Sequence, residues 1–324
     1  MYLATIKDVA KKAHVSVATV SRVINQKGYV NEETKNLVLK AIEELNYVPN
    51  ELARSLFQKK SHIVAVVMPH LTSYYFSDLL EVIEDETINA NYRLMICNSK
   101  DDPEKESKYL KIFEQYNVDG IILISNTNRI KDYLALNIPM IEIDHNLSDE
   151  IPSITSNNFL GGKLAAEKLV NSGCKKIIHF RGPSGLVTVQ DRTSGFQSVL
   201  KNKNIESYTY DLAFLSPDPE DIESKVLAHL DADAIFCDSD VIAILAIQSL
   251  KRANKRVPED VQVIGFDNIQ LSSMMEPKLT TIEQSTDQIG KAALLSIMKL
   301  INGEKLEYLH QTIDVKLIER ETTK

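Results

Sequence analysis

Several things are scarce in this chain, and each scarcity narrows what it can be. Cysteine occurs three times in 324 residues, at 97, 174 and 237. The count is odd and the three are far apart. Two sit in the apolar runs LMICNS and AIFCDS, and the third follows a glycine. A disulfide framework is therefore not expected; these are thiols of a reducing compartment. The seven histidines show neither HxxxH nor HxH spacing, so no metal site is expected, and no cofactor motif stands out. Neither GxxxxGK nor GxSxG occurs, which removes the phosphate-cradling loop and the nucleophile elbow. The only adjacent glycine pair, Gly161-Gly162, opens a helical stretch and reads as close packing. No apolar run approaches the roughly 20 residues of a membrane span, and no apolar segment marks a signal peptide. Cytoplasm is the expected location.

What is present is unevenly charged. The formal net charge is -8, a poor start for holding a polyanion. Residues 1–60, however, carry ten Lys and Arg against six Asp and Glu, net +4, while the remainder carries 27 against 39, net -12. A basic head on an acidic body is the distribution that phosphate neutralisation requires.

The head begins TIKDVAKKAHVSVATVSRVIN, residues 5–25. Thr5 with Asp8 three residues on is a variant capping box, so a helix starts there. His14 and Val15 interrupt the pattern, and Ser16 caps a second helix running to about Ile24. Val20, Val23 and Ile24 share one face of it; Val17, Ala18, Ser21, Arg22 and Asn25 share the other. Two short helices and a tight turn make a helix-turn-helix unit, whose second helix enters the major groove. A third helix, capped by Asn31, turns Val38, Ile42 and Leu45 inward. Pro49 ends it. Asn50 can cap a short helix bearing Ala53 and Leu56, too brief to be helical alone in water.

From His62 onward, short apolar runs alternate with helical stretches. Strands are expected at 62–69, 93–99, 118–125, 139–144, 153–156, 175–182, 207–214, 232–239 and 261–267, most of them continuous apolar runs as for parallel strands covered on both faces. Nine strands with crossovers exceed one sheet, so two doubly wound lobes with a cleft between them are expected. The C-terminal DQIGKAALLSIMKLING and HQTIDVKLIER are expected to return to the first lobe.

The stretches TIKDVAKKAHVSVATVSRVIN and NEETKNLVLKAIEELNYVPNELARSL, with VDGIILIS, NNFLGGKLAAEKLV, RTSGF, VIGFDN, LTTIEQ and LIER further on, resemble the lactose-repressor/galactose-repressor (LacI/GalR) family of bacterial regulators. The likeness runs along essentially the whole chain and is greatest for the sucrose and ribose repressors. It implies an all-α helix-turn-helix head on an α/β two-lobed core like that of periplasmic sugar-binding proteins, built of two doubly wound parallel sheets. The implied domains are a DNA-binding head at 1–46, a hinge at 47–60 and an effector-binding and dimerisation domain at 61–324. Within the last, lobe 1 is expected at about 61–159 and 290–320, and lobe 2 at about 160–289. The likeness also implies a homodimer on a pseudo-palindromic operator, gated by a small sugar. The sequence stops just after LIER, where some relatives continue into a tetramerising heptad segment, so a dimer is expected.

The resemblance places base reading at Val17, Ala18 and Arg22: the arginine for guanine, the other two for apolar contact such as a thymine methyl. Thr5, Ser16, Thr19, Ser21 and Asn25 suit the DNA backbone. Leu56 matches the wedge that enters the minor groove, with Ala53 for close approach of two hinge helices and Tyr47 and Asn50 nearby. Effector candidates stand after strand ends: Tyr75, Phe76, Asp144, His145, Arg192, Asp240 and Asp267. Arg192 and Asp267 form the leading pair. Where sugar-binding relatives often show Asp-Arg, this chain has Asp144-His145, which counts against a ribose-like ligand and offers a pH-sensitive contact. Bland roles compete: Arg22 as a phosphate clamp, Leu56 as hinge packing, Asp267 as a turn residue, Arg192 in a surface ion pair, Tyr75 as core. The favoured effector is a sugar or sugar phosphate of sucrose or fructose type, then ribose. A phosphorylated carrier protein or a purine as effector is the alternative, a secreted sugar-binding protein is opposed by the head, and a sugar-processing enzyme is remote.

Overall fold

The computed structural model describes residues 4–25, 28–47, 60–124, 130–144, 148, 150–201 and 203–324. It divides into two compact units, Met1–Ser61 and His62–Lys324.

The first unit holds helices α1 (Ile6–Lys12), α2 (Val17–Asn25) and α3 (Glu32–Glu44). Its local signals act as the residues dictate. Thr5 accepts from the Asp8 backbone while the Asp8 carboxylate accepts from the Thr5 N–H at 2.8 Å, closing the capping box. The Ser16 hydroxyl accepts from Thr19 N at 3.1 Å, and the Asn31 side chain accepts from Thr34 N at 2.8 Å. Val9, Val20 and Val38 are completely buried, and Ala10, Ala13, Val23 and Ala41 join them in one small core. Ile42, Leu45 and Tyr47 pack partly buried around it. Asn50, Ala53 and Leu56 lie outside the described residues.

The second unit contains two six-stranded sheets. The first is ordered β11-β5-β4-β3-β1-β2, from β1 (Ile63–Met68), β2 (Arg93–Asn98), β3 (Gly120–Leu123), β4 (Met140–Ile143), β5 (Ser153–Ser156) and β11 (His310–Ile313). The other is ordered β12-β10-β9-β8-β6-β7, from β6 (Lys176–Arg181), β7 (Glu206–Asp211), β8 (Ala234–Cys237), β9 (Gln262–Asp267), β10 (Thr280–Glu283) and β12 (Lys316–Ile318). All pairings are parallel except β10 with β12. The central strands read as continuous apolar runs because helices cover both faces. Those helices are α4 (Tyr74–Asn89), α5 (Pro103–Tyr116), α6 (Ile130–Ala135), α7 (Asn158–Asn171), α8 (Val187–Leu200), α9 (Pro219–Leu227), α10 (Asp240–Arg252), α11 (Gln270–Met274) and α12 (Thr286–Ile301).

Each of the nine expected strands is found. The C-terminal expectation needs correction. Helix α12 does pack on the first sheet, through Ile289, Ala293, Leu294 and Ile297. The run HQTIDVKLIER, however, divides: β11 pairs with β5 of the first sheet, whereas β12 pairs with β10 of the second. The chain therefore passes between sheets three times, near Asn157, Gln284 and Asp314, and Thr280–Glu283 is a strand the periodicity did not announce.

Both lobes run in the same order, second strand, first, third, fourth, fifth. In such sheets the crevice opens where the order reverses, beyond the carboxyl ends of the strands. Those switch points lie between β1 and β3 in one lobe and between β6 and β8 in the other.

Candidate operator-reading helix and effector cavity

On α2 the buried and exposed faces separate as the spacing requires. Val20 and Val23 are inside, while Val17 is 40% exposed and Ala18 and Arg22 are exposed beside it. Ser16 and Thr19 are coupled through their hydroxyls at 2.9 Å, and Ser21 is half-buried. The Thr5 hydroxyl donates to Asp8 at 2.7 Å, so it serves the cap first. Tyr47 packs against the head core.

In the second unit a cavity of about 520 Å³ takes its walls from both lobes at the switch points. Pro69 and Ser73 follow β1, Ile124 follows β3, Pro183 follows β6 and Asp238 follows β8. Of the residues expected from sequence, Tyr75, Phe76, Asp144, Arg192 and Asp267 line it. His145 lies outside the described residues. Asp240 is displaced from the expectation: it is fully buried and is not on the cavity wall. Its carboxylate accepts from Ile269 N at 2.9 Å and from the hydroxyls of Ser272 and Thr281 at 2.6 Å each, tying the segment after β9 to β10. Burial pushes its carboxyl up to about 6.

Arg192 reaches the cavity from the interior of α8. Its Nε donates to Asn158 Oδ1 at 2.7 Å and its Nη1 to the Asp238 carbonyl at 2.6 Å, while the guanidinium lies 3.7 Å from the Phe266 ring centre. This planar, aromatic-backed cation is oriented before any ligand arrives. Asp267 receives a bond from Gln284 Nε2 at 2.7 Å, and burial holds its carboxyl well above the usual range although Arg192 opposes this. No ion pair joins Arg192 to Asp267. Both keep hydrogen-bonding capacity for a guest. On the other lobe Tyr75 Oη donates to Asp144 Oδ2 at 3.0 Å; burial, then the Asp144 and Asp267 charges, raise the phenol. Asp144 and Asp267 have φ of 59° and 110°. Aspartate is among the non-glycine residues that enter the left-handed region most readily.

Sequence reasoning missed Asn158, Phe214, Asp238 and Gln284. Asn158 and Gln284 sit inside the stretches NNFLGG and LTTIEQ, and Asp238 directly ends an apolar strand, two residues before Asp240. Phe214 had no local signal.

The helix crossing that presents Arg192 depends on glycine. A Cβ on Gly162 would lie 1.9 Å from the Arg192 carbonyl oxygen, and one on Gly195 would lie 1.9 Å from the Phe159 carbonyl oxygen. Only hydrogen fits there, so α7 and α8 touch backbone to backbone.

Known proteins resemble the chain along its whole length. Residues 5–50 match the model described as bacterial regulatory proteins, lacI family, and residues 61–321 match periplasmic binding proteins and sugar binding domain of LacI family. The ribose operon repressor of Halalkalibacterium halodurans is 39% identical over 99% of this chain and 98% of its own. The sucrose operon repressor of Streptococcus mutans is 36% identical over 93% and 94%. A crystal structure of the lac repressor dimer bound to operator and the anti-inducer ONPF superimposes with a TM-score of 0.88, at 26% identity over 99% of each chain. With a matching model over the head, another over the remainder and relatives aligned end to end, this chain belongs to the LacI family of bacterial regulatory proteins, as a DNA-binding transcriptional repressor and not an enzyme.

Proposed function

We propose that this repressor controls a carbohydrate-utilisation operon as a homodimer, and that an unphosphorylated sugar in the 520 Å³ cavity sets its operator affinity. One observation carries the reading: Arg192 and Asp267 face the same cavity from different elements without pairing with each other. A sugar hydroxyl both donates and accepts, so it satisfies a fixed guanidinium and a carboxyl together, and Tyr75, Phe76 and Phe214 supply apolar faces for C–H surfaces.

Charge argues for the neutral sugar over its phosphate. Among the described lining residues Arg192 is the only Lys or Arg and stands against Asp101 and Asp144, while burial raises the Asp267 carboxyl and the Asp238 carboxylate is taken up by His179 and Gly182 N. A phosphate adds about -1.5 to -2 at neutral pH and would meet more repulsion than attraction. D-ribose, fructose and sucrose are the ligands to test: the 39% and 36% identical relatives are named for the ribose and sucrose operons, while Asp144-His145 counts against ribose. On the operator, Val17, Ala18 and Arg22 read bases, Ser16, Thr19, Ser21 and Asn25 hold phosphates, and Leu56 is the wedge.

Thermal unfolding against ribose, fructose, sucrose and their phosphates tests this. A ligand at about a hundred times its Kd adds about 2.7 kcal/mol, and Arg192→Ala or Asp267→Ala should abolish the rise. A response to sugar phosphates alone would refute the charge argument. Silence across the panel would refute the sugar reading.

A further inference from the structure

Beneath the cavity, His179 and Asp238 are both 0% exposed, with Nε2 and Oδ1 2.9 Å apart. A carboxylate only accepts, so Nε2 carries the proton. The other carboxylate oxygen accepts from Gly182 N at 3.2 Å. His179 is otherwise in apolar company: its ring lies 4.8 Å from Phe196 and 4.9 Å from Phe236, and among the described residues its Nδ1 has no partner. An aliphatic side chain would suit that slot without leaving a ring nitrogen bare. What a histidine adds there is the Nε2–H donor to Asp238.

We propose that His179 and Asp238 are a positioning pair that sets sugar affinity through Arg192, a proposal that rests on the sugar-binding reading above. The pair touches Arg192 at one place and the helix that carries it at another. The Asp238 carbonyl holds its Nη1 at 2.6 Å, and His179 packs on Phe196, one turn along α8 from Arg192. The Gly182 N–H bond fastens the start of the β6–α8 loop, whose Pro183 and Leu186 line the cavity. One buried carboxylate thus ties β6, β8 and the loop between β6 and α8 into a fixed seat for the guanidinium. Asp238 acts from below, its side chain fully buried and both oxygens occupied by protein donors.

The test is D-ribose titration calorimetry on the full-length protein and its variants, with fructose and sucrose as further probes. His179→Leu, which fits the aromatic slot, should bind about tenfold more weakly, the worth of one charge-assisted hydrogen bond. His179→Gln, whose amide reaches as far as Nε2, should recover most of that loss. In an Arg192→Lys background, which keeps the charge but not the fork, His179→Leu should cost less than threefold. Operator affinity without sugar should not change. A His179→Leu Kd within twofold of wild type, failure of the glutamine to rescue, or an undiminished loss in the Arg192→Lys background would each overturn the proposal. If the wild-type protein binds none of the three sugars, the sugar reading fails by itself, and a crystal structure of His179→Leu decides the pair. Separation of Nη1 from the Asp238 carbonyl beyond hydrogen-bond range supports it, and an unchanged 2.6 Å contact overturns it.

Discussion

Gly162→Ala is the substitution that best tests how the cavity is built. The added methyl would sit 1.9 Å from the Arg192 carbonyl oxygen and 2.9 Å from Phe196 N, both backbone atoms. Carbon and carbonyl oxygen approach to about 3.3 Å, so α7 and α8 must separate by more than about 1 Å. No flexible side-chain end is available to yield. Overpacking costs about 1–3 kcal/mol, and a backbone-on-backbone clash belongs at the upper end. In a unit of this size each kcal/mol lowers Tm by roughly 2–4 °C, giving a fall of roughly 6–12 °C. Urea and thermal unfolding of the full chain measure it. Gly185→Ala is the control, because a Cβ there has nothing within 4 Å; it should stay within about 0.5 kcal/mol of wild type. Since the opposing carbonyl is that of Arg192 itself, sugar affinity should fall along with stability. A Gly162→Ala protein as stable as wild type and with unaltered sugar binding would refute the claim that this contact seats Arg192.

Three further outcomes are expected. Asp240 carries a carboxyl raised from the ordinary 3.8 to about 6 by burial. The folded state therefore keeps a proton that the unfolded chain has already lost. Its contribution is complete below about pH 4 and disappears as pH rises through 6, about 3 kcal/mol in all. Asp240→Asn should flatten that part of the stability profile by urea unfolding at pH 4, 5, 6 and 7, and a slope equal to wild type would exclude Asp240 as its source. Arg22→Ala should weaken operator binding by about 1–3 kcal/mol and relax selectivity at one base pair; equal losses on operator and random DNA in gel-shift titrations would make Arg22 a phosphate contact instead. Thr5→Ala removes the cap acceptor of α1 and should cost the head about 1 kcal/mol, read as helix loss by circular dichroism; an unchanged melting curve would show that the Asp8 carboxylate alone secures that helix end.

The head was legible in the sequence because its information is local. A Thr5-to-Asp8 cap, a Ser16 cap and the spacing of Val20 and Val23 each act within one or two turns, and the structure places them as that spacing demands. Most of the nine strands were legible for a related reason: burial on both faces writes itself as a continuous apolar run, as in β1, β3, β4, β8 and β9, whereas the edge strand β7 has no buried residue. The two-lobed class follows from counting them. What the sequence could not decide rests on contacts between residues far apart in the chain. Nothing local distinguishes Asp238 from Asp240, yet the first meets His179 and the cavity wall while the second turns inward to Thr281 and Ser272. The division of HQTIDVKLIER between two sheets depends on which edge, β5 or β10, lies open to each half. Gly162 matters because α8 crosses at that point, and Arg192 becomes a cavity cation because Asn158, Asp238 and Phe266 converge on it. Caps and periodicities are properties of a segment, whereas hydrogen-bond partners and close approaches belong to pairs of segments, and only the folded chain brings those pairs together.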